Sequence, residues 1–147
     1  MKMRSVLLLA CLVLLVLVGI GTARVDTPKT RDGVFIHISH GENHAHRVLM
    51  ALQMANIMSG DRDVLVYFDI NGIEVILKDA DDLKYSHFPS AKQQLSALIE
   101  KGVILMACPG CLKAAGKTVN DLAPGIQIAD KDRFFSFTEG RILTLDY

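Results

Sequence analysis

The chain has 147 residues, of which 50% are hydrophobic, and it carries 16 basic and 16 acidic side chains. A nearly neutral chain with no basic run and no tryptophan gives no support for nucleic-acid binding. Length and charge therefore predict one globular domain without a nucleic-acid partner.

The N-terminus has the pattern of a secretory signal peptide. A short basic start precedes an almost unbroken apolar run over residues 6–20, and small residues follow up to Ala23. The run is shorter than the roughly 20 residues that a membrane-spanning helix usually needs, and an uncleaved N-terminal anchor is the alternative. We therefore predict an exported protein, periplasmic or secreted, with residues 1–23 as its leader. It would contact a membrane only if the leader were kept.

The predicted mature chain is large enough for one domain. Cleavage after Ala23 would leave 124 residues, sufficient for one hydrophobic core and too few for two. It would also remove Lys2 and Arg4, lowering the basic count from 16 to 14 against 16 acidic residues. Residues 24–32 are polar and are predicted to form a linker before a domain over residues 33–147.

The first half of this domain predicts two strands and two helices. A strand at residues 33–39 is followed by a turn and by a helix at residues 44–59, with Asn43 as the N-cap. A second strand at residues 63–69 is apolar on both faces, as in parallel sheets covered by helices. Residues 73–77 suit a strand or a short helix, and we favour the helix. The predicted buried face of the first helix consists of Val48, Ala51, Leu52, Ala55 and Met58.

A polar loop at residues 79–89 leads to the next predicted helix. Ser90 and Gln93 form a capping box at its start, and Gly102 follows its end as a stop signal. The residues expected to face inward are Leu95, Leu98 and Ile99.

The rest of the chain alternates between short strands and short helices. In the penultimate helix, Phe134 and Phe137 are expected on the buried side. Strands alternating with helices predict a three-layer α/β fold with a mainly parallel sheet of about five strands. Functional sites in such sheets form at the carboxyl ends of the strands. The predicted segments are a strand at 102–107, a helical turn at 118–121, a brief strand at 126–128, a helix at 130–138 and a last strand at 141–145.

The most informative motif is Cys108-Pro109-Gly110-Cys111, which lies between the third strand and a short helix. The free N–H groups and dipole at a helix start favour thiolate over thiol, and the thiolate is both nucleophile and metal ligand. A disulfide closing so short a loop would stabilise the fold little. The motif therefore predicts sulfur chemistry at the two cysteines, with Pro109 and Gly110 as candidate substrate-binding residues.

Four histidines crowd the region after the first strand. His37 lies within the strand and is expected to be buried in the core, whereas His40 and Asn43 are candidate substrate-binding residues. His44 and His46 are two residues apart on a helix, so they do not share a face. If the first and third strands were adjacent, imidazoles and thiolates together would suit zinc or copper.

Three segments resemble the DsrE/DsrF-like family: the helix at residues 46–55, the strand at 63–68 and the block at 102–116. The most specific feature is a cysteine that ends a strand, followed by a small-residue helix and a glycine eight positions later. Here these residues are Cys108 and Gly116. The resemblance extends over nearly the whole chain after the leader.

The resemblance implies a flavodoxin-like fold, a homo-oligomer (trimer or hexamer) and a sulfur-relay function. It implies a persulfide on Cys108, whereas Cys111 matches a second cysteine that only some family members have. The partners would be sulfur donor and acceptor proteins or small sulfane-sulfur compounds, and neither a metal nor an organic cofactor is required. The relay proteins of the family are cytoplasmic, whereas an exported thiol pair meets an oxidising compartment.

Other functions remain open: a thiol–disulfide oxidoreductase, a copper- or zinc-binding protein, and a non-catalytic oligomeric binding module. The C-x-x-C spacing at a helix start is shared with thioredoxins. In thioredoxins, however, the motif follows an early strand and an aromatic residue precedes it, where this chain has Ala107. The position of the motif therefore favours a sulfur carrier over generic disulfide exchange.

Overall fold

The computed structural model describes residues 30–147, so the predicted leader lies outside the described residues. Strands and helices alternate along this part of the chain. The strands are β1 (Gly33–Ile38), β2 (Asp63–Phe68), β3 (Ile104–Ala107), β4 (Gln127–Ile128) and β5 (Ile142–Asp146). The α-helices are α1 (Ala45–Met58), α2 (Ala91–Glu100), α3 (Pro109–Ala114) and α4 (Lys131–Ser136). Three segments are 3-10 helices: Glu42–His44, Ile70–Ile76 and Val119–Asp121.

The five strands form one sheet in the order β4-β3-β2-β1-β5, and every pairing is parallel. This arrangement confirms the predicted α/β fold with a parallel sheet. Strand β2 separates β1 from β3, so the adjacency that a shared histidine–cysteine metal site required is absent from the sheet. Between residues 30 and 147, no helix is long and apolar enough to cross a membrane.

The main core lies between one face of the sheet and helices α1 and α2. The predicted inward face of α1 is confirmed, although Met58 is only partly buried. On the opposite face, α4 packs through Phe134 against Phe35 and Tyr67. Helices therefore cover both faces of the sheet, as predicted. The strand residues of the main core are Val34, Ile36, Ile38, Val64, Val66, Phe68, Leu105 and Ala107.

Helix α2 begins with the predicted capping box. The Ser90 hydroxyl accepts a hydrogen bond from the Gln93 backbone N–H at 3.4 Å, and the Gln93 side chain accepts one from the Ser90 N–H at 3.0 Å. Gly102, with φ of 74°, follows the last turn in the left-handed conformation that favours glycine. Local hydrogen bonds thus define both ends of this helix.

Replacing Ser90 with alanine is expected to lower the free energy of unfolding by about 1 kcal/mol, because an N-terminal backbone N–H loses its acceptor. Urea denaturation followed by circular dichroism measures the loss. Ser96→Ala is the matched control, since Ser96 is exposed in the middle of the same helix. Equal stability of Ser90→Ala and Ser96→Ala would contradict a stabilising role for the cap.

Two predictions about helix α1 and helix α2 are wrong. Asn43 is not the N-cap of α1, because a 3-10 turn closed by the His44 N–H and the Gly41 carbonyl places His44 at that position. Asn43 is exposed within this turn. Ile99 does not face inward but is 36% exposed near the end of α2. The turn and the helix end both depend on contacts beyond the local periodicity.

The aromatic residues of the penultimate helix are less buried than expected. Phe134 and Phe137 are only half-buried, because α4 is six residues long and covers the sheet incompletely. Phe135, on the same helix, is exposed. The α4 face is therefore a thinner layer than the face that α1 and α2 cover.

The ambiguous segment after β2 is helical, as predicted, and takes the 3-10 form over Ile70–Ile76. It approaches the end of β1 so closely that a Cβ on Gly72 would overlap the carbonyl oxygen of Ile38. Ile70 opens the segment with φ of 46°, an unfavourable angle for a β-branched residue. This tight connection brings the loop after β2 beside the cysteine motif.

Candidate functional site

Cys108 lies directly after β3, at the carboxyl end of the sheet. Its backbone N–H donates to the Phe68 carbonyl at 2.9 Å, which attaches the cysteine loop to the end of β2. Cys108 is also the N-cap of α3, and its Sγ accepts a hydrogen bond from the Cys111 N–H at 3.4 Å. Pro109 follows as the first helical residue, where its missing N–H costs no hydrogen bond. The strand end and the helix start together hold the thiol in one place.

The surroundings of Cys108 favour its thiolate. Partial burial by itself raises the pKa of the thiol, but hydrogen bonds from the Tyr67 hydroxyl and the Cys111 backbone N–H outweigh it. The pKa of Cys108 is consequently lower than that of an ordinary cysteine. A half-buried thiol with donors directed at it is suited to nucleophilic attack.

Cys111 has the opposite tendency. Hydrogen bonding from the Ile70 backbone lowers the pKa of its thiol, yet burial and the neighbouring Cys108 and Asp69 raise the pKa above the usual value. Both cysteines are free and half-buried. Within the pair, Cys108 is therefore the thiol that ionises more readily.

We expect iodoacetamide at neutral pH to modify Cys108 roughly tenfold faster than Cys111, because only the thiolate reacts. Fragmentation mass spectrometry after a limiting dose of reagent assigns the modified cysteine. Tyr67→Phe removes one hydroxyl donor and retains the ring. It should reduce the ratio of the Cys108 alkylation rate to the Cys111 alkylation rate. Faster modification of Cys111 would show that the order of the two pKa values is reversed.

Tyr67 was not among the residues predicted for the site. Burial, followed by its interaction with Cys108, raises the pKa of Tyr67, so the phenol stays protonated and acts as a hydrogen-bond donor. Its ring packs edge-on against Phe134 with the ring centroids 5.1 Å apart. A tyrosine near the end of a buried strand was the available sequence signal, but nothing local to it indicated the cysteine as its partner.

His37 is not a buried core residue, contrary to expectation. Its Nε2 lies 2.8 Å from Asp69 Oδ1, and its Nδ1 lies 2.8 Å from Asp146 Oδ1. Asp69 directly follows β2, and Asp146 is the last residue of β5. Both strands are neighbours of β1 in the sheet, so the two carboxylates lie beside His37. Sequence reasoning missed both of them, because Asp146 is 109 residues from His37 along the chain.

The candidate substrate-binding residues occupy two separate places. Pro109 and Gly110 are exposed beside Cys108. His40 is half-buried, with its Nδ1 3.3 Å from the Ser39 hydroxyl and its ring centroid 4.7 Å from that of His44. Across residues 30–147, no hydrogen bond joins His40 or Asn43 to either cysteine. Pro109 and Gly110 thus adjoin the thiols, whereas His40 and Asn43 have no hydrogen bond to them within residues 30–147.

The histidines of the predicted metal alternative are dispersed. His46 stacks on Tyr85, with the ring centroids 4.6 Å apart, whereas His40 and His44 contact each other. In the part of the chain that the structure describes, no three histidine, cysteine or acidic side chains are placed to hold a metal ion. A metal site at the thiols would therefore need ligands that these residues do not bring together.

Comparisons with known proteins agree with this fold. The model of the DsrE/DsrF-like family matches residues 32–138. The crystal structure of the ychN protein from E. coli superposes with a TM-score of 0.61 at 16% identity, covering 78% of this chain and 99% of that one. The protein of unknown function MTH1491 from Methanobacterium thermoautotrophicum gives a TM-score of 0.55 at 18% identity, with the same coverages of 78% and 99%. No curated protein matches the sequence significantly.

Proposed function

Because this chain belongs to the DsrE/DsrF-like family, which is generally linked to sulfur relay, we propose that it is a sulfur carrier using a persulfide on Cys108. The observation that supports this most is the contrast within the thiol pair. Cys108 has a lowered pKa and Cys111 a raised one, so Cys108 is the thiol of the pair that more readily forms the attacking thiolate. Sulfur donors and acceptors, as proteins or small sulfane-sulfur compounds, are the proposed partners.

In the loading step, the Cys108 thiolate attacks the outer sulfur of a donor persulfide, R–S–SH. A bond forms between Sγ and that sulfur, the S–S bond of the donor breaks, and its electron pair leaves on R–S⁻. Cys108 then carries –S–SH, and no outside oxidant or reductant takes part. The donors around Sγ stabilise the thiolate before the step.

In the unloading step, an acceptor thiolate attacks the outer sulfur and Cys108 leaves as thiolate. A thiol with a lowered pKa is the better leaving group, so the Tyr67 and Cys111 donors that favour loading also assist release. Cys111 can instead attack the inner sulfur of the persulfide, forming a Cys108–Cys111 disulfide and releasing hydrosulfide. This reaction would discharge the carrier without an acceptor.

Intact mass spectrometry tests the proposal. The reduced protein is incubated with inorganic polysulfide, and a gain of about 32 Da that dithiothreitol removes is expected for one persulfide sulfur. Peptide mapping must place the added sulfur on Cys108, because Cys11, in the predicted leader, is a third thiol. A reduced protein that gains no sulfur under these conditions would overturn the carrier function.

Thiol–disulfide exchange is the second candidate. The Cys111 N–H lies 3.4 Å from Cys108 Sγ, which places the two residues one helical turn apart, as in C-x-x-C redox motifs. Exchange with a partner disulfide would oxidise the pair to a disulfide and reduce the partner to two thiols. A loss of about 2 Da with oxidised glutathione, with no stable gain from polysulfide, would favour this candidate.

The proposal also includes the location of the carrier and its oligomeric state. We propose that it is exported, on the basis of the leader pattern, and that it forms a homo-oligomer. Exposed apolar side chains on β5 support an interface between copies: Ile142 and Leu143. In an oxidising compartment, the disulfide form of the pair would compete with the persulfide form.

A further inference from the structure

A histidine bridges two carboxylates beside the cysteine motif. Asp69 Oδ1 and Asp146 Oδ1 each lie 2.8 Å from one ring nitrogen of His37. Neutral imidazole has only one N–H, so both contacts are donated hydrogen bonds only in the imidazolium form. The carboxylates lie on opposite ring nitrogens, and the ring itself separates them. The cluster is therefore an ion-pair bridge and not a set of ligands converging on one metal ion.

The bridge connects the ends of three strands. His37 on β1 is in register with Tyr67 on β2 and with Asp146 on β5, and Asp69 directly follows β2. Strand β1 lies where the strand order reverses, between β2 and β5. Sites in parallel α/β sheets form at such reversals, at the carboxyl ends of the strands.

The imidazole also contacts the tyrosine that acts on the thiol. The rings of His37 and Tyr67 stack with their centroids 5.8 Å apart and their planes 26° apart. Phe134 packs edge-on against Tyr67. The Tyr67 hydroxyl in turn interacts with Cys108 and lowers the pKa of its thiol. The hydrogen bonds to the two carboxylates fix the plane of the His37 imidazole. The imidazole in turn helps to hold the Tyr67 ring, which carries the hydroxyl, in its orientation.

The charge of Asp69 reaches the Cys111 thiol and the tyrosine. It contributes to the raised pKa values of Cys111 and Tyr67. A protonated His37 offsets this charge, since the bridge then carries one net negative charge instead of two. The protonation of His37 therefore changes the field at the cysteine motif.

We propose that His37 is a positioning residue for Cys108: its imidazolium, bridged between Asp69 and Asp146, holds Tyr67 in place and offsets the charge of Asp69 beside the thiols. This role deepens the proposed carrier function, on which it rests, by making the thiolate population of Cys108 depend on His37. Neither the family match nor the sulfur chemistry of the motif assigns this role to His37.

The bridge makes this dependence sensitive to pH. Partial burial by itself lowers the pKa of His37, but the hydrogen bonds to Asp69 and Asp146 outweigh it, and the pKa is raised. The imidazolium is therefore complete below the ordinary histidine value of about 6.5 and is lost as the pH rises through the raised value. That loss disfavours the Cys108 thiolate and broadens its titration. Helix α4, which packs against Tyr67, carries the charged residues Lys131, Asp132 and Arg133, and Arg133 is paired with the N-cap residue Asp130.

Alkylation of Cys108 by iodoacetamide measures this effect without sulfane sulfur. In the full chain carrying Cys111→Ser, the rate at Cys108 is followed by peptide mapping between pH 5 and pH 10. His37→Asn, which has no cation, is expected to slow alkylation at pH 7 roughly threefold to tenfold. His37→Lys restores a cation without the stacked ring, so it should recover the part of the rate that depends on the charge. His46→Asn is the matched control, because His46 also stacks on a tyrosine but meets no carboxylate of residues 30–147 within hydrogen-bond distance.

A purely structural role for His37 predicts a different result. Equal slowing by His37→Asn and His37→Lys, or no change with either, would overturn the proposal. Asp146→Asn removes a carboxylate that is 71% exposed, so folding should be retained even if the His37 variants unfold. It should move the His37-dependent step in the profile to lower pH, and a step that stays in place would refute the bridge. Alkylation needs no sulfur donor, so a failure of sulfur loading remains distinguishable.

Discussion

Replacing Cys108 with serine is expected to abolish the gain of about 32 Da that polysulfide produces in the reduced protein. A serine hydroxyl is not ionised at neutral pH and forms no bond to sulfane sulfur, whatever donors surround it. Loss of a nucleophile typically costs more than about 1,000-fold in rate, so loading should fall below detection. Intact mass after desalting measures the result directly.

Cys111→Ser is the matched control for this experiment, since it removes the neighbouring thiol one helical turn away. It should still take up one sulfur at Cys108, and the persulfide should last longer because the internal attack that forms a disulfide is removed. Sulfur retained by Cys108→Ser and mapped to Cys111 would reassign the carrier residue. Sulfur mapped to Cys11 would mark nonspecific modification outside the domain.

Replacing Phe68 with alanine is expected to lower the free energy of unfolding by about 3–5 kcal/mol. Phe68 is fully buried at the end of β2, in the main core that α1 and α2 cover, and the smaller side chain would leave a cavity there. Urea denaturation monitored by circular dichroism measures the change. The Phe68 carbonyl also accepts the Cys108 N–H, so looser packing here should reduce the selectivity of alkylation for Cys108.

Phe135→Ala makes the same chemical change at a side chain that is 77% exposed. Its effect on the free energy of unfolding should stay within about 0.5 kcal/mol, as for other exposed positions. A similar loss at both phenylalanines would mean that burial in the main core is not what distinguishes them. A loss at Phe68 below about 1 kcal/mol would contradict the close packing of β2 against the two helices.

Sequence reasoning succeeded where the signal lies within a few residues. The apolar runs predicted the strands, the period of three to four residues predicted the inner face of α1, and Ser90 with Gln93 predicted the start of α2. The position of Cys108 between a strand and a helix also follows from neighbouring residues. Such features depend on local backbone preferences, which a short stretch of sequence contains in full.

Sequence reasoning failed where a neighbouring segment competes with the local signal. Asn43 is a good N-cap residue, but a 3-10 turn displaces the helix start to His44. Ile99 has the spacing of an inward residue, yet the end of α2 leaves it exposed. For Ile99 the outcome depends on how much surface another part of the fold covers, and periodicity carries no information about that.

The sequence by itself determined the class of fold, the family resemblance and the position of Cys108 between a strand and a helix, because each depends on short patterns. Only the tertiary structure decided what surrounds the thiol. Tyr67 reaches Cys108 because β2 pairs with β3, and His37 meets Asp146 because β5 returns to the far side of β1. Hydrogen bonds and charges act over a few ångströms in space, whereas these partners are separated by 41 and 109 residues along the chain. The order of the strands in the sheet places these residues, which are distant in sequence, next to each other in space.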